Sequence, residues 1–344
     1  MPRKTIRNDI TSPEKTAQIN PSNLRLKDDF LAYLSSMQRS PGTIHGYDND
    51  LLIVFTYILE HLNNKNFEKL TKRDVASIQN WLVNENCNSP ARVRRIKAAM
   101  SSLSNYIETV LDDEDGFENY RPIVRKIQNP PMQAVRQKTV WTDEELDSLL
   151  GKLSAAGEHK KACAVALAMC SGRRKAELCR FRVADFADEN LVCGGALYKT
   201  AEPIRTKGFG LGKYIYCYTM AKKFKPYFDA WMEQRRELGI ESEWLFPELN
   251  DASKQISPAS LNSWAVTFER LTGRNFYWHS LRHYFTTNLS KLGLPDNVIQ
   301  IIVGWASADM VGVYKDISAE EEVAQYFDEN GEIRTGAVKA LSDL

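Results

Sequence analysis

Residues 279–283 read HSLRH, which places two of the chain's five histidines and an arginine on little more than one helical turn. On a helix His279 and Arg282 lie one above the other and can reach the same ligand, with His283 four places from His279. An H-x-x-x-H pair can bind zinc, but a catalytic zinc site needs a third protein ligand. Metalloproteases also place a glutamate after the first histidine, where this chain has Ser280. An arginine inside the pair fits a cation poorly and an anion well, because its planar fork of donors matches phosphate or carboxylate oxygens. A second source of arginine is SGRRKAEL at 171–178, where a Ser-Gly turn delivers Arg173 and Arg174 to the start of a helix, a place that attracts anions.

Around these clusters stand 344 residues, 43% hydrophobic and 26% charged, enough for two folded domains. The longest apolar runs, ACAVALAMC (162–170) and NVIQIIVGW (297–305), are about half the ~20 residues that a membrane-spanning helix needs. No membrane partner is expected, and the polar beginning of the chain has no secretory pattern, so a cytoplasmic protein is expected. Six cysteines (Cys87, Cys163, Cys170, Cys179, Cys193, Cys217) form no C-x-x-C pair and read as free thiols, with no metal site and no cofactor. The net charge of +1 hides a partition: residues 319–344 hold seven acids against Arg334 and Lys339, a net of −5, so the remainder carries about +6.

Residues 1–23 read as a flexible polar tail and 24–125 as a helical domain. Ser40-Pro41 and Ser89-Pro90 are good helix starts, a capping serine followed by proline in the first turn. In the helix that follows Ser89, Val93, Ile96, Met100, Leu103, Ile107 and Val110 form an apolar stripe, with Arg94 almost opposite and Arg95 and Lys97 on its flanks. Residues 126–141, with paired prolines and no periodicity, read as an extended linker. A second domain is expected over 142–318, opened by Thr142 and Glu145 at capping-box spacing. Its centre is a helix that is apolar all round, and between Leu191 and Tyr218 it carries a small antiparallel ribbon with Lys207 at the bend. The expected class is therefore mainly α, with a mixed second domain holding a short β-ribbon.

GRRKAEL, the Lys207 hairpin, HSLRH, GW at 304–305 and Tyr314 follow one another in an order and spacing that resemble the active-site series of the tyrosine recombinase (phage integrase) family. In length and two-domain layout the chain is most similar to the simple, Cre-like members, which also carry tryptophan where many relatives have histidine. The resemblance implies Arg174, rather than Arg173, as the first arginine, because RKAEL matches the family pattern, and Glu177 as the acid that orients its neighbours. It implies Lys207 as the hairpin lysine, with Lys199 as the alternative, then His279 and Arg282 as the H-x-x-R pair and Trp305 in the third His/Trp place. Tyr314 is the implied nucleophile, chosen by spacing over Tyr326.

The same resemblance implies a site-specific recombinase, active without metal or ATP, that passes through 3′-phosphotyrosyl intermediates and a Holliday junction. The arginines would grip the phosphate, Lys207 would protonate the leaving 5′-oxygen, and His279 would either move protons on the attacking side or hydrogen-bond phosphate. Double-stranded DNA with a specific target site is the expected partner, bound by two domains that close around it, with Arg92, Arg94, Arg95 and Lys97 on phosphates. A homo-tetramer on two DNA sites is expected, its subunits linked by the acidic segment 319–344 through Val323, Tyr326 and Phe327. A nucleoid-associated protein of prokaryotic, phage or plasmid origin is implied. A type IB topoisomerase and a non-catalytic DNA-binding relative are the competing readings.

Overall fold

The computed structural model of the chain describes residues 10–131, 139–206, 212–305, 307 and 309–314, and of Tyr314 the backbone alone. These fall into two compact units, 10–131 and 139–314, each with its own apolar core. Lys207, Tyr326 and the whole of 319–344 lie outside the described residues.

The first unit is helical, as expected: α1 Pro13–Gln18, α2 Pro21–Ser36, α3 Pro41–His61, α4 Lys72–Asn80 with a following π-turn, and α5 Pro90–Val110. The serines ahead of α3 and α5 cap them as anticipated, each side-chain oxygen accepting from the backbone N–H three residues on. Val93, Ile96, Met100, Leu103 and Ile107 of α5 are buried against Leu51, Phe55 and Ile58 of α3 and Phe30 of α2. Of the expected tail 1–23, residues 10–23 are folded into this unit, and residues 1–9 lie outside the described residues. Ile10 and Ile19 are buried, Ser12 caps α1, and the Asn20 backbone N–H donates to Asn64 Oδ1 at 2.9 Å. Two isolated isoleucines, diluted in a polar stretch, are enough to anchor it.

The linker also narrows. Ile127, Gln128 and Pro130 give their carbonyls to Lys97 and Arg94 of the first unit. Thr139 Oγ1 donates to Asn275 O at 2.9 Å and Trp141 Nε1 to Ser280 Oγ at 2.7 Å in the second. That leaves 132–138 of the expected linker, outside the described residues.

In the second unit α6 is Asp143–Ala155, opened by the Thr142–Glu145 capping box. Next come α7 His159–Ser171 and the single turn α8 Lys175–Leu178. Five short strands follow: β1 Leu191–Val192, β2 Leu197–Lys199, β3 Ile204–Arg205, β4 Tyr214–Ile215 and β5 Tyr218–Met220. They make an antiparallel sheet in the order β1-β2-β5 and a separate β3-β4 ribbon. The described residues end with α9 Ala221–Glu237, α10 Pro258–Thr272, α11 Trp278–Lys291, α12 Asp296–Val303 and α13 Asp309–Tyr314. Every residue of α7 from Ala162 onward is buried, and α6, α9 and α11 pack around it. It is the apolar axis on which the unit is built. Among the described residues no helix is long and apolar enough to cross a membrane.

Asp50 of α3 is wholly buried and takes Arg92 Nη1 at 2.5 Å and Arg95 Nε at 3.1 Å, joining α3 to α5. Removing one partner of a buried ion pair strands the other, at a cost of about 3 kcal/mol where, as here, one cation can turn to water. Asp50→Ala should therefore lower hydrogen-exchange protection of α3 and α5 amides by that amount. Unchanged protection would contradict this account of the α3–α5 contact.

Candidate active site

The site is assembled by two glycine turns. α7 stops at Gly172, in the left-handed region at φ 59°, where the N–H caps Ala168 O at 3.1 Å and any Cβ would collide with the Phe285 ring of α11. α12 stops in the same way at Gly304, φ 72°, where a Cβ would run into Ile215 of the ribbon. Only glycine meets both demands. The first turn delivers Arg174 and the second delivers Trp305.

Arg174 stands at the head of α8 with its side chain 36% exposed, its Nη1 3.1 Å from Glu177 Oε1. Glu177, 2% exposed, also accepts the Arg174 backbone N–H at 3.0 Å, so one buried carboxylate fixes both ends of the residue. Arg173 turns the opposite way and is 1% exposed. Of the two arginines the sequence offered, Arg174 is the one that reaches solvent.

Arg282, on α11, is wholly buried. Its Nη1 donates to Gly172 O at 2.8 Å and its Nη2 to Val303 O at 3.4 Å, and its guanidinium carbon lies 4.9 Å from the centre of the Trp305 ring. The Arg282 fork thus spans the two glycine turns, and Trp305 packs over it. His279 is one turn earlier on α11, its ring perpendicular to that of His283 at 5.6 Å. Part of the His279 ring reaches solvent. Burial of the remainder, followed by His283, Arg282 and Arg174, holds its pKa down at about 4 against the opposing pull of Glu177. Apart from His283, the electrostatic neighbours of His279 are other candidate residues: Arg282, Arg174 and Glu177.

Arg174, Glu177, His279, Arg282 and Trp305 therefore converge. Tyr314 is the last residue of α13, which packs on α11 and α12, while its side chain lies outside the described residues. Lys207 is also outside them; on either side of its segment Arg205 pairs with Tyr214, and the Thr206 N–H donates to Lys213 O at 2.7 Å. Lys199, the alternative, lies on β2 with its ammonium 4.3 Å from the centre of the Tyr216 ring.

The basic face of α5 departs from expectation. Lys97 is buried, its ammonium donating to Gln79 Oε1 at 2.8 Å and to the carbonyls of Ile127 and Gln128. Arg94 grips Pro130 O with two N–H groups, at 3.0 and 2.9 Å, and Arg92 is held on Asp50. Arg95, 56% exposed, is the most open of the four. A helical wheel places side chains around an axis, but it does not reveal that residues 127–130 cross this flank.

With the geometry in place, comparison with known proteins decides the family. The model of the phage integrase family matches residues 139–321, and that of the phage integrase N-terminal SAM-like domain matches 28–108. The chain belongs to the phage integrase family. Among relatives, the SPbeta prophage-derived recombinase-like protein YomM of Bacillus subtilis is 28% identical over 267 residues, 75% of either chain. A tyrosine recombinase of Thermosipho africanus is 20% identical over 303 residues, covering 85% of this chain and 95% of the relative. Two solved structures share the fold at a TM-score of 0.62. The XerH site-specific recombinase, in a post-cleavage complex with a palindromic difH substrate, is 19% identical over 82% of this chain and 79% of that one. A lambda integrase (75–356) dimer bound to a COC′ core site is 16% identical over 89% and 97%. The phage integrase chain is thus an enzyme of the tyrosine recombinase type.

A depressed histidine pKa favours the neutral ring, so the linked stability is complete above about pH 6.5 and fades as pH falls toward 4. Nitrogen-15 chemical shifts of the free protein should show His279 neutral down to about pH 4, and Arg174→Ala should raise that midpoint by removing a positive neighbour. A midpoint at the ordinary value in the unmodified protein would contradict the geometry described.

Proposed function

We propose that the protein is a site-specific recombinase whose Tyr314 attacks a backbone phosphate of duplex DNA, forming a 3′-phosphotyrosyl bond and releasing a 5′-hydroxyl. A second strand's 5′-hydroxyl then displaces the tyrosine. Bond energy is conserved across two exchanges, so no nucleotide is consumed. The observation that carries this reading is the convergence of Arg174, His279, Arg282 and Trp305 at two glycine turns, beside the helix that ends in Tyr314.

Each residue type suits the task. Arg174 and Arg282 offer planar forks to the non-bridging oxygens, whose charge grows in the five-coordinate transition state, and the Trp305 indole N–H adds a neutral donor. Because Arg282 begins wholly buried under Trp305, DNA has to open that packing before both can reach one phosphate. His279, neutral at physiological pH, is suited to accept the Tyr314 proton or to bond phosphate through an N–H. Lys207 is the proposed proton donor to the leaving 5′-oxygen. Glu177 keeps Arg174 aimed.

Arg92 and Arg95, held on Asp50, and Arg94 are proposed to meet DNA phosphates, giving affinity that falls with salt. Lys97 is turned inward and is left out of that set. Assembly as a tetramer on two target sites, passing through a Holliday junction, is supported by a lambda integrase tetramer bound to a Holliday junction, which shares the fold at a TM-score of 0.62 and 15% identity. Residues 319–344 are proposed to link neighbouring subunits.

The test uses duplexes recovered by sequencing DNA bound to the purified protein. Tyr314→Phe should bind them within about twofold of the unmodified protein and form no covalent adduct. An adduct in that variant would refute the assignment. Adduct formation by the unmodified protein should persist in excess EDTA, since arginines supply the positive charge; abolition by EDTA would overturn the metal-free mechanism.

A further inference from the structure

We infer that Arg173, the arginine beside the proposed phosphate ligand, is a positioning residue: a buried tie that keeps the Arg174 turn and the Trp305 turn in register when Arg282 leaves them for phosphate. The inference rests on the recombinase reading above.

Arg173 is among the largest fully buried side chains of the protein. Its Nε donates to Ser171 O at 3.2 Å, at the carboxyl end of α7, and its Nη2 donates to Ile302 O, at the carboxyl end of α12. The buried Cys217 thiol between β4 and β5 feels its charge, and a Cβ on Gly304 would lie 3.2 Å from its Nη1. One guanidinium therefore touches three pieces of chain: the turn before Arg174, the turn before Trp305 and the base of the ribbon.

A buried guanidinium keeps its charge and its demand for acceptors. Here the carboxyl ends of two helices, the negative poles of their dipoles, supply acceptors to Nε and Nη2, while the buried Nη1 has no hydrogen-bond partner among the described residues. Apolar side chains of similar volume commonly replace buried charge with no loss of stability, so packing alone is a weak reason for arginine at this position. Linking two carbonyls that belong to different turns is something an apolar side chain cannot do.

Arg282 makes a parallel link, from Gly172 O to Val303 O, one residue further along each turn. The two forks span the same gap. They differ in what the proposed reaction asks of them: Arg282 has to give its N–H groups to phosphate, loosening its hold on the carbonyls, whereas Arg173 faces away and is never called on. Arg173 then carries the register of Arg174 against Trp305 through the chemical step. Displacements of about 1 Å at such a site cost on the order of a hundredfold in rate.

Arg173→Met keeps the volume and removes the link; Arg173→Lys keeps the charge but cannot fork between two carbonyls. Both are compared with the unmodified protein on a nicked suicide duplex built from the recovered site, reading melting, equilibrium DNA binding and single-turnover adduct formation. The expected result is cooperative melting and binding within about twofold for Arg173→Met, with adduct formation slowed by about tenfold to a hundredfold and partly restored in Arg173→Lys. If the Met variant alone fails to fold, the Lys variant must show the same split between binding and rate. An adduct rate within about twofold of the unmodified protein in a folded variant, a parallel loss of binding and rate, or loss of folding in both variants would each overturn the inference. If the unmodified protein forms no adduct, the Tyr314 reading falls and takes this inference with it; an adduct with an unaffected Arg173→Met removes this inference alone.

Discussion

The catalytic unit depends on buried guanidinium groups bonded to the carbonyls at helix ends. α7 and α12 each finish in a left-handed glycine, and each exposes carbonyls that need donors. Arg282 supplies them to Gly172 and Val303, and Arg173 to Ser171 and Ile302. Because 131 residues of chain separate Gly172 from Gly304, nothing local holds the turns together. The arginines do so, at the point where Arg174 and Trp305 emerge. The same bonds that satisfy the helix ends thereby hold both turns beside α11, which carries His279 and Arg282.

The helical unit uses a related device to another end. Asp50, sunk between α3 and α5, holds Arg92 and Arg95 by their guanidinium groups. Gly46 belongs to this arrangement, since a Cβ there would strike the Arg95 guanidinium. A carboxylate with two arginines leaves a net positive site of fixed geometry, better prepared for a phosphate than two free arginines whose side-chain entropy would be lost on binding. Phosphate contact by this pair belongs to the proposed function.

Local chemistry was legible in the sequence. The caps at Ser40, Ser89 and Thr142 depend on residues three apart, and all three form as expected. So do the apolar stripe of α5 from Val93 to Ile107, though its expected last member Val110 is exposed, and the all-round burial of α7; the antiparallel strands are there too, divided into a three-stranded sheet and a two-stranded ribbon. The spacing of HSLRH, with GRRKAEL and GW, pointed to residues that the fold brings together. What covers a side chain was not legible. Lys97, expected on DNA phosphate, is covered by residues 127–128, and Arg173, expected beside Arg174 at an anion-attracting helix start, has its partner in α12. Ile10 and Ile19 vanished into a polar average, yet each found an apolar site in three dimensions. In every case the deciding contact comes from a segment distant in sequence, and no window of neighbouring residues contains it.

The central claim is that the phenol at the end of α13 is the group that becomes bonded to DNA. Its most direct measurement is to trap the complex on a suicide duplex, digest protein and DNA, and sequence by mass spectrometry the peptide that retains a nucleotide 3′-phosphate. The account predicts one modified peptide, with the nucleotide on Tyr314. A nucleotide on Tyr326 or on any other residue would contradict it.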